Sequence, residues 1–307
     1  MYQYLLKRLL WTIPTVLAAV TVTFVLMQMV PGGPFDVGDG MTHLPAAVKE
    51  QLERQYNLDK PVIVQYFAFL RQLLQGDLGT SFQSREGVGT MIARSFPTSV
   101  QLGAAALLIS IVVGIPLGVL AATYRGSWID HLCTVLSVGG FVLPSFVLGI
   151  FLIYILSLTL HWLPVSGWGT PAHLIMPALA LGAGPAAQFA RYTRSAMVEA
   201  LQMDFVRVAH AKGLAPAVVV AKHALKNALL PVLTVAGAVL PNLLVGSFLV
   251  ETMFSVPGTG RFFVSAINHR DYPVVMGVAI VYALMVATAN LLTDILYAAV
   301  DPRIRYS

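Results

Sequence analysis

A chain of 307 residues that is 57% hydrophobic and only 11% charged has too little polar surface to cover a water-soluble globule of its size. Its mean hydropathy of +0.76 points to a bilayer as its solvent. The formal net charge of +5 implies no nucleic-acid partner, because basic residues gather in the cytoplasmic loops of membrane proteins and no basic stripe with interleaved aromatics occurs elsewhere.

A membrane-spanning helix needs about 20 mostly apolar residues. Lys7 and Arg8 precede the first such run, residues 9–30, which exceeds the ~7–15 residues of a signal-peptide core and is read as a retained first span. Residues 31–99 are expected to form an extracytoplasmic segment whose amphipathic pieces lie on the outer interface or cap the bundle. Within it, 45–56 places Val48, Leu52 and Tyr56 on one face. Asp59, Lys60 and Pro61 then resemble a helix start, and Val62, Tyr66, Phe69, Leu70 and Leu73 recur at helical spacing before Gly76 ends the pattern.

Residues 100–122 lie in a stretch without Asp, Glu, Lys or Arg between Arg94 and Arg125 and give the second span. From His131 to Ala190 no such charge occurs, and HWLPVSGWGTP divides the run into a third span, 131–160, and a fourth, 173–190. A basic segment, 191–227, separates these from the fifth span, 228–250, and the sixth, 273–300. The expected fold is an all-α, six-helix membrane protein forming one domain over 1–307. The distribution of Lys and Arg in the short connections places both termini and the 191–227 segment in the cytoplasm.

Self-contained chemistry is missing. There is no GxxxxGK[ST] phosphate loop and no HExxH metal motif, and the single cysteine, Cys133, excludes an intrachain disulfide and a cysteine-pair zinc site. Gly79-Thr80-Ser81 is a weak nucleophile lookalike without an identifiable base. Asp294, the one acid well inside an expected span, lies near its cytoplasmic end, within reach of water or of a cation such as Arg303 or Arg305. Gln28, Gln101, Asn242 and Asn290 are candidate lining residues of a path, or equally interhelical hydrogen-bond partners. Pro144, Pro177, Pro185, Pro231 and Pro241 are candidate kinks.

The 191–227 segment collects Arg191, Arg194, Arg207, Lys212, Lys222 and Lys226 with His210 and His223, and topology alone explains that charge. Its pattern says more. Phe205, Val208 and Ala209 share a helical face that Arg207 and His210 avoid, Gly213 stands as a helix terminator, and Pro216 suits the first turn of a following helix. A short helix, a glycine turn and a second helix leading into span five form a surface suited to a partner.

AHAKGL followed by HALKNALLPVL resembles the cytoplasmic loop of binding-protein-dependent ABC importer permeases, in particular the B-type subunit of oligopeptide and dipeptide permeases. LLKRLLWTIPTVLAAVTVTFVLMQMVPGGP, QYFAFLRQLLQGDLGTSF, ETMFSVPGTGRFFVSAINHRDYPVVMG and AAVDPRIRY extend the resemblance along the chain. It implies a type I importer fold and a coupling helix that sits in a groove of a separate ATPase. The coupling element carried onto this chain is Asp204, Phe205, Arg207, Val208, Ala209, His210, Ala211, Lys212, Gly213 and Leu214. The implied partners are a homologous C-type permease, two ATPase subunits, an extracytoplasmic substrate-binding protein and membrane lipid. ATP and Mg belong to the ATPase subunits; no cofactor is expected on this chain, nor catalysis by it. The implied cargo is a peptide, with nickel, glutathione or another small solute as alternatives within the family, and an ATPase-independent carrier or channel outside it. The sequence departs from the broader importer motif in two places: the Glu-Ala-Ala positions read Arg207, Val208 and Ala209, and Leu230-Pro231 lies farther from Gly213.

Overall fold

The computed structural model describes residues 2–35, 46–245 and 248–300. Helices dominate it, and among the described residues the one β-bridge joins Thr80 to Gly87. In chain order the helices are α1 (Tyr2–Met29), α2 (Ala46–Gln55), α3 (Val62–Leu74), α4 (Val88–Thr123), α5 (Trp128–Val142), α6 (Ser145–Leu152), α7 (Pro171–Leu201), α8 (Asp204–Ala211), α9 (Pro216–Val218), α10 (Leu225–Val245), α11 (Phe248–Met253), α12 (Thr259–Asn268) and α13 (Tyr272–Val300). π-helical turns extend α6 over Ile153–Thr159 and join α9 to α10 over Val219–Ala224.

By length and composition, three stretches can cross a bilayer unaided: Leu10–Met29, Val88–Thr123 and Tyr272–Ile295. Two bent pairs add a further two, Trp128–Val142 with Ser145–Thr159 at 110°, and Pro216–Leu229 with Pro231–Leu243 at 55°. Helix α7 is the remaining segment of the six expected. Its 31 residues reach about 46 Å at 1.5 Å per residue, but Ala, Gly and Pro dilute its apolarity.

Three boundaries differ from the sequence-based expectation. Helix α4 starts at Val88, twelve positions before residue 100, because Val88, Met91 and Ile92 bury themselves against Val274, Val275 and Val278 of α13. Arg94, which interrupts the apolar run there, stays at the surface 3.1 Å from Glu86. The third span is not continuous. Leu143 adopts an extended conformation ahead of Pro144, as a residue preceding proline favours, and the chain turns there. Helix α7 continues past Ala190 to Leu201, so Arg191 and Arg194 lie within it rather than in a loop.

The centre of the bundle is the long pairing of α4 with α7. Buried Ala106, Ser110, Gly114, Gly118 and Ala122 recur every fourth residue along α4, opposite buried Ala178, Gly182, Ala186 and Ala190 of α7. Small side chains let the two backbones approach closely, which is how helices associate where lipid removes the hydrophobic driving force. A Cβ added at Gly118 would sit 2.5 Å from the Ala190 carbonyl oxygen. Ser110 donates within this seam to the carbonyls of Ala106 at 2.6 Å and Gly182 at 2.9 Å.

Around this pair, α10 packs on α7 and α13, and α1 packs on α13. Arg8 of α1 lies 2.9 Å from the Asp294 carboxylate of α13, so the acid finds its cation at the amino end; Arg303 and Arg305 lie outside the described residues. Helix α3 leans on α1 and α13 through Phe69, Leu70 and Leu73. The Tyr66 hydroxyl lies 2.6 Å from that of Thr21. Val62 and Val48 are exposed, so the apolar faces of α3 and α2 are narrower than expected. Beyond α3, the Gln72 side chain and the Gly79 N–H hold the Asp77 carboxyl below its ordinary range.

Candidate coupling surface and carboxylate node

Helix α8 is one short helix with Met203 as an extended N-cap and Asp204 in its first turn, where an acid complements the helix dipole. It ends in a complete Schellman turn. The Leu214 N–H donates to Ala209 O at 3.3 Å, the Gly213 N–H donates to His210 O at 2.9 Å, and Gly213 takes φ +77°. Only glycine adopts that conformation without a steric penalty, and Pro216 then opens the next helix at its first turn.

Val206 and Ala209 are buried against Val219 of the following segment, with Phe205 packed partly beside them. The expected face is therefore corrected at one residue: Val208 is 51% exposed, and Val206 takes its place. Positions 206 and 209 are three apart and turn toward Val219, which leaves Val208 on the opposite side with Arg207 and His210. Asp204, Ala211, Lys212, Gly213 and Leu214 are also exposed. Arg207 lies 3.4 Å from Asp204, an exposed pair of little energetic weight. The outward surface thus combines apolar Met203, Val208, Leu214 and Val218 with basic Arg207 and Lys212.

A second polar feature centres on an acid whose role the sequence leaves open. Glu251 of α11 is fully buried. It accepts from the Ser99 hydroxyl of α4 at 2.8 Å and from the N–H groups of Gly260 at 2.8 Å and Arg261 at 3.2 Å. Ser99 also accepts the Thr259 N–H at 2.9 Å. One carboxylate so fastens the turn after α11 and the start of α12 to α4. A Cβ at Gly258 would lie 2.4 Å from Glu251 Oε2, which explains the glycine there. At the far end of α12, buried Asp271 accepts from the Ser81 hydroxyl and the Phe82 N–H. Ser81 is thus a structural clamp.

The family described as binding-protein-dependent transport system inner membrane component matches residues 114–306, and the model of its N-terminal part matches residues 1–103. The chain belongs to this family. Dipeptide transport system permease protein DppB of Bacillus subtilis (strain 168) is 41% identical over 306 residues, covering 99% of this chain and 98% of its own. Oligopeptide transport system permease protein OppB of Escherichia coli (strain K12) is 39% identical over 309 residues and 100% of both chains. Glutathione transport system permease protein GsiC of Pectobacterium atrosepticum is 41% identical over 306 residues, again 100% of both. Among solved structures, the inward-facing MetNI methionine ABC transporter aligns with a TM-score of 0.56 at 19% identity, over 69% of this chain and 96% of that one. An amino acid ABC transporter solved with histidines aligns at 0.54 and 15%, over 69% and 94%. These two share the type I importer permease fold.

The polar path candidates of this permease are distributed along the bundle. Gln28 donates to Gln65 of α3 at 3.2 Å and lines a cavity of about 180 Å³ between α1 and α3. Asn290 lines a separate cavity of about 130 Å³ beside Arg8 and Trp11. Gln101 on α4 and Asn242 on α10 are exposed on the surface of the bundle. A further polar contact joins α5 to α7, where Arg194 holds buried Asp130 through two bonds of 2.7 and 2.8 Å, and the Gly126 N–H adds a third at 3.0 Å. Hydrophobicity alone gives no signal for it, since each partner stands at the margin of an apolar run.

Proposed function

We propose that this permease is the B-type subunit of a peptide-importing ABC transporter, forming half of the translocation path and driven by ATPases on other chains. Whole-length similarity to relatives named as dipeptide and oligopeptide permeases carries the reading. The α8 turn supports it, because a rigid helix end exposing Val208, Leu214, Arg207 and Lys212 is suited to a groove on a soluble subunit. The assembly comprises a C-type permease, two ATPase subunits that bind ATP and Mg, and an extracytoplasmic binding protein. This chain sits in the inner membrane with both termini in the cytoplasm and performs no catalysis itself. ATP binding closes the ATPase pair and draws the coupling segments together; the bundle opens outward to receive cargo, and hydrolysis resets it.

A glutathione importer is the second reading, favoured by the relative named for that solute. Reconstituting the tagged permease with the subunits that copurify, and comparing uptake of a dipeptide, an oligopeptide, glutathione and nickel, tests both. ATP-dependent peptide uptake with stoichiometric ATPase subunits is the expected result. Import by this chain alone in liposomes would sink the proposal.

A further inference from the structure

Helix α3 stands out among the shorter helices for its apolarity, yet none of its residues is fully buried. A helix that is apolar on more than one side has to be covered on more than one side. The bundle covers one: Phe69, Leu70 and Leu73 pack with Val20 of α1 and with Met276 and Ile280 of α13. A second apolar edge lies outside that face and outside the one expected from periodicity. Ile63, Phe67 and Leu74 form it, and they are 61%, 61% and 89% exposed.

The level of α3 follows from what holds its other sides. Leu10–Met29 of α1 is 20 residues long, about 30 Å, the thickness of a hydrocarbon core. Gln65 accepts from Gln28, beside the end of that stretch. Gln72, two turns on, shares its edge of α3. A Cβ built at Gly79 would lie 3.7 Å from Gln72 Nε2 and 3.5 Å from the Pro273 side chain, at the start of α13. Both ends of the carboxamide edge are thus level with the end of a span, so α3 lies across the two spans in the plane of the membrane. Its packed face reaches deeper. The Tyr66 hydroxyl meets Thr21, about 12 Å along α1 from Met29, and Ile280 stands a similar distance along α13 from Tyr272. At about 100° per residue, Ile63, Phe67 and Leu74 stand on the side of α3 opposite Gln65 and Gln72. They therefore point along the spans toward the middle of the bilayer.

Nothing polar interrupts this edge. Helices meet one another in a membrane through small and hydrogen-bonding side chains, as α4 meets α7, whereas large apolar ones without either suit acyl chains. Lys60 and Arg71 are exposed nearby, where long basic side chains reach lipid phosphates while their stems stay on apolar surface.

We propose that α3 is an in-plane membrane anchor whose edge of Ile63, Phe67 and Leu74 is inserted among the acyl chains of the leaflet at the Met29 end of α1. With both termini cytoplasmic, that is the outer leaflet. The cavity lined by Gln28, Gln65 and Gln72 then opens at the boundary between membrane and water. The assignment holds whichever solute is carried.

The test uses the complete transporter in phosphatidylcholine liposomes, with bimane on single cysteines introduced as Phe67→Cys, Leu74→Cys and Ala68→Cys. Ala68 is exposed and lines the cavity on the carboxamide side. Native Cys133 is buried and stays in place, and the unsubstituted transporter sets the background. Lipid brominated in its acyl chains is expected to quench the labels at 67 and 74 severalfold more than the label at 68, and aqueous iodide to give the reverse order. Iodide quenching at 67 and 74 equal to that at 68 overturns the proposal. Lipid quenching that is present for the permease alone and lost in the complete transporter assigns the edge to a partner subunit and also overturns it. Photolabelling of the unsubstituted transporter by a phospholipid with a diazirine in its acyl chain needs no variant to fold. Adducts are expected within 62–74; adducts on exposed Leu17 of α1 with none on α3 overturn the assignment.

Discussion

Replacing Gly213 by valine perturbs the turn at the end of α8 without crowding it. The residue has φ +77°, and a Cβ built there meets nothing within 4 Å. The cost is therefore backbone strain, about 1–2 kcal/mol for an L-residue in the left-handed region and more for a β-branched one. At 1.4 kcal/mol per factor of ten, that strain depopulates the native turn roughly 5- to 30-fold. What is lost is the pair of bonds from Leu214 and Gly213 to the carbonyls of Ala209 and His210, and with them the fixed presentation of Val208 and Leu214. In the reconstituted complex, Gly213→Val is expected to insert normally and support ATP hydrolysis while uptake per ATP falls by about that factor. Gly213→Asn, which tolerates the left-handed region, keeps most of the coupling. Wild-type uptake per ATP in the valine variant, or equal damage from asparagine, refutes the argument that this backbone geometry couples the subunits.

Other positions test the frame that carries this surface. Glu251→Ala leaves the N–H groups of Gly260 and Arg261 without their acceptor, each costing roughly 1–3 kcal/mol when buried unpaired, while Ser99 keeps Thr259 as a partner, so thermal unfolding in detergent should show a loss of about 2 kcal/mol or more; an unchanged melting temperature contradicts it. Gly118→Val drives a side chain into the Ala190 carbonyl and the Arg194 backbone and should cost about 1–3 kcal/mol or prevent folding, whereas Gly139→Ala, with nothing within 4 Å, should be neutral or slightly stabilising. Similar yields and melting temperatures for both variants would refute the close seam. Asp130→Asn and Arg194→Gln should each cost about 2–3 kcal/mol, below the ~3–5 kcal/mol of a fully buried pair because the Arg194 side chain is 36% exposed. The double variant should cost less than their sum; strict additivity would mean that the two side chains do not interact.

The parts legible in the sequence are those set by local rules. Gly213 and Pro216 mark a helix end and a helix start because one backbone conformation and one missing N–H decide them. The half-buried face of α3 at Tyr66, Phe69, Leu70 and Leu73 follows from periodicity alone. Pro144 was recognisable as a candidate kink, yet the 110° bend depends on what the two halves pack against. Helix α8 shows why faces are harder than ends. Phe205 with Val208 and Ala209 fits helical spacing, and so does Val206 with Ala209; Val219, beyond the turn, decides which side is buried.

The residues that hold the ends of the bundle required tertiary partners. Glu251 reads as one acid after an apolar run, and its meaning comes from Ser99, 152 positions earlier. Asp294 is matched by Arg8, 286 positions away, on a helix that sequence distance makes invisible. The small-residue stripe of α4 is a different case. Its four-residue period from Ala106 to Ala122 is fully present in the sequence, but a hydropathy reading weights size and hides it, since glycine and serine lower the apolar signal at the positions of closest contact. In a membrane bundle the informative pattern is therefore the spacing of what is small, and α4 and α7 pair along their length because lipid cannot compete for a surface with so little side chain to solvate.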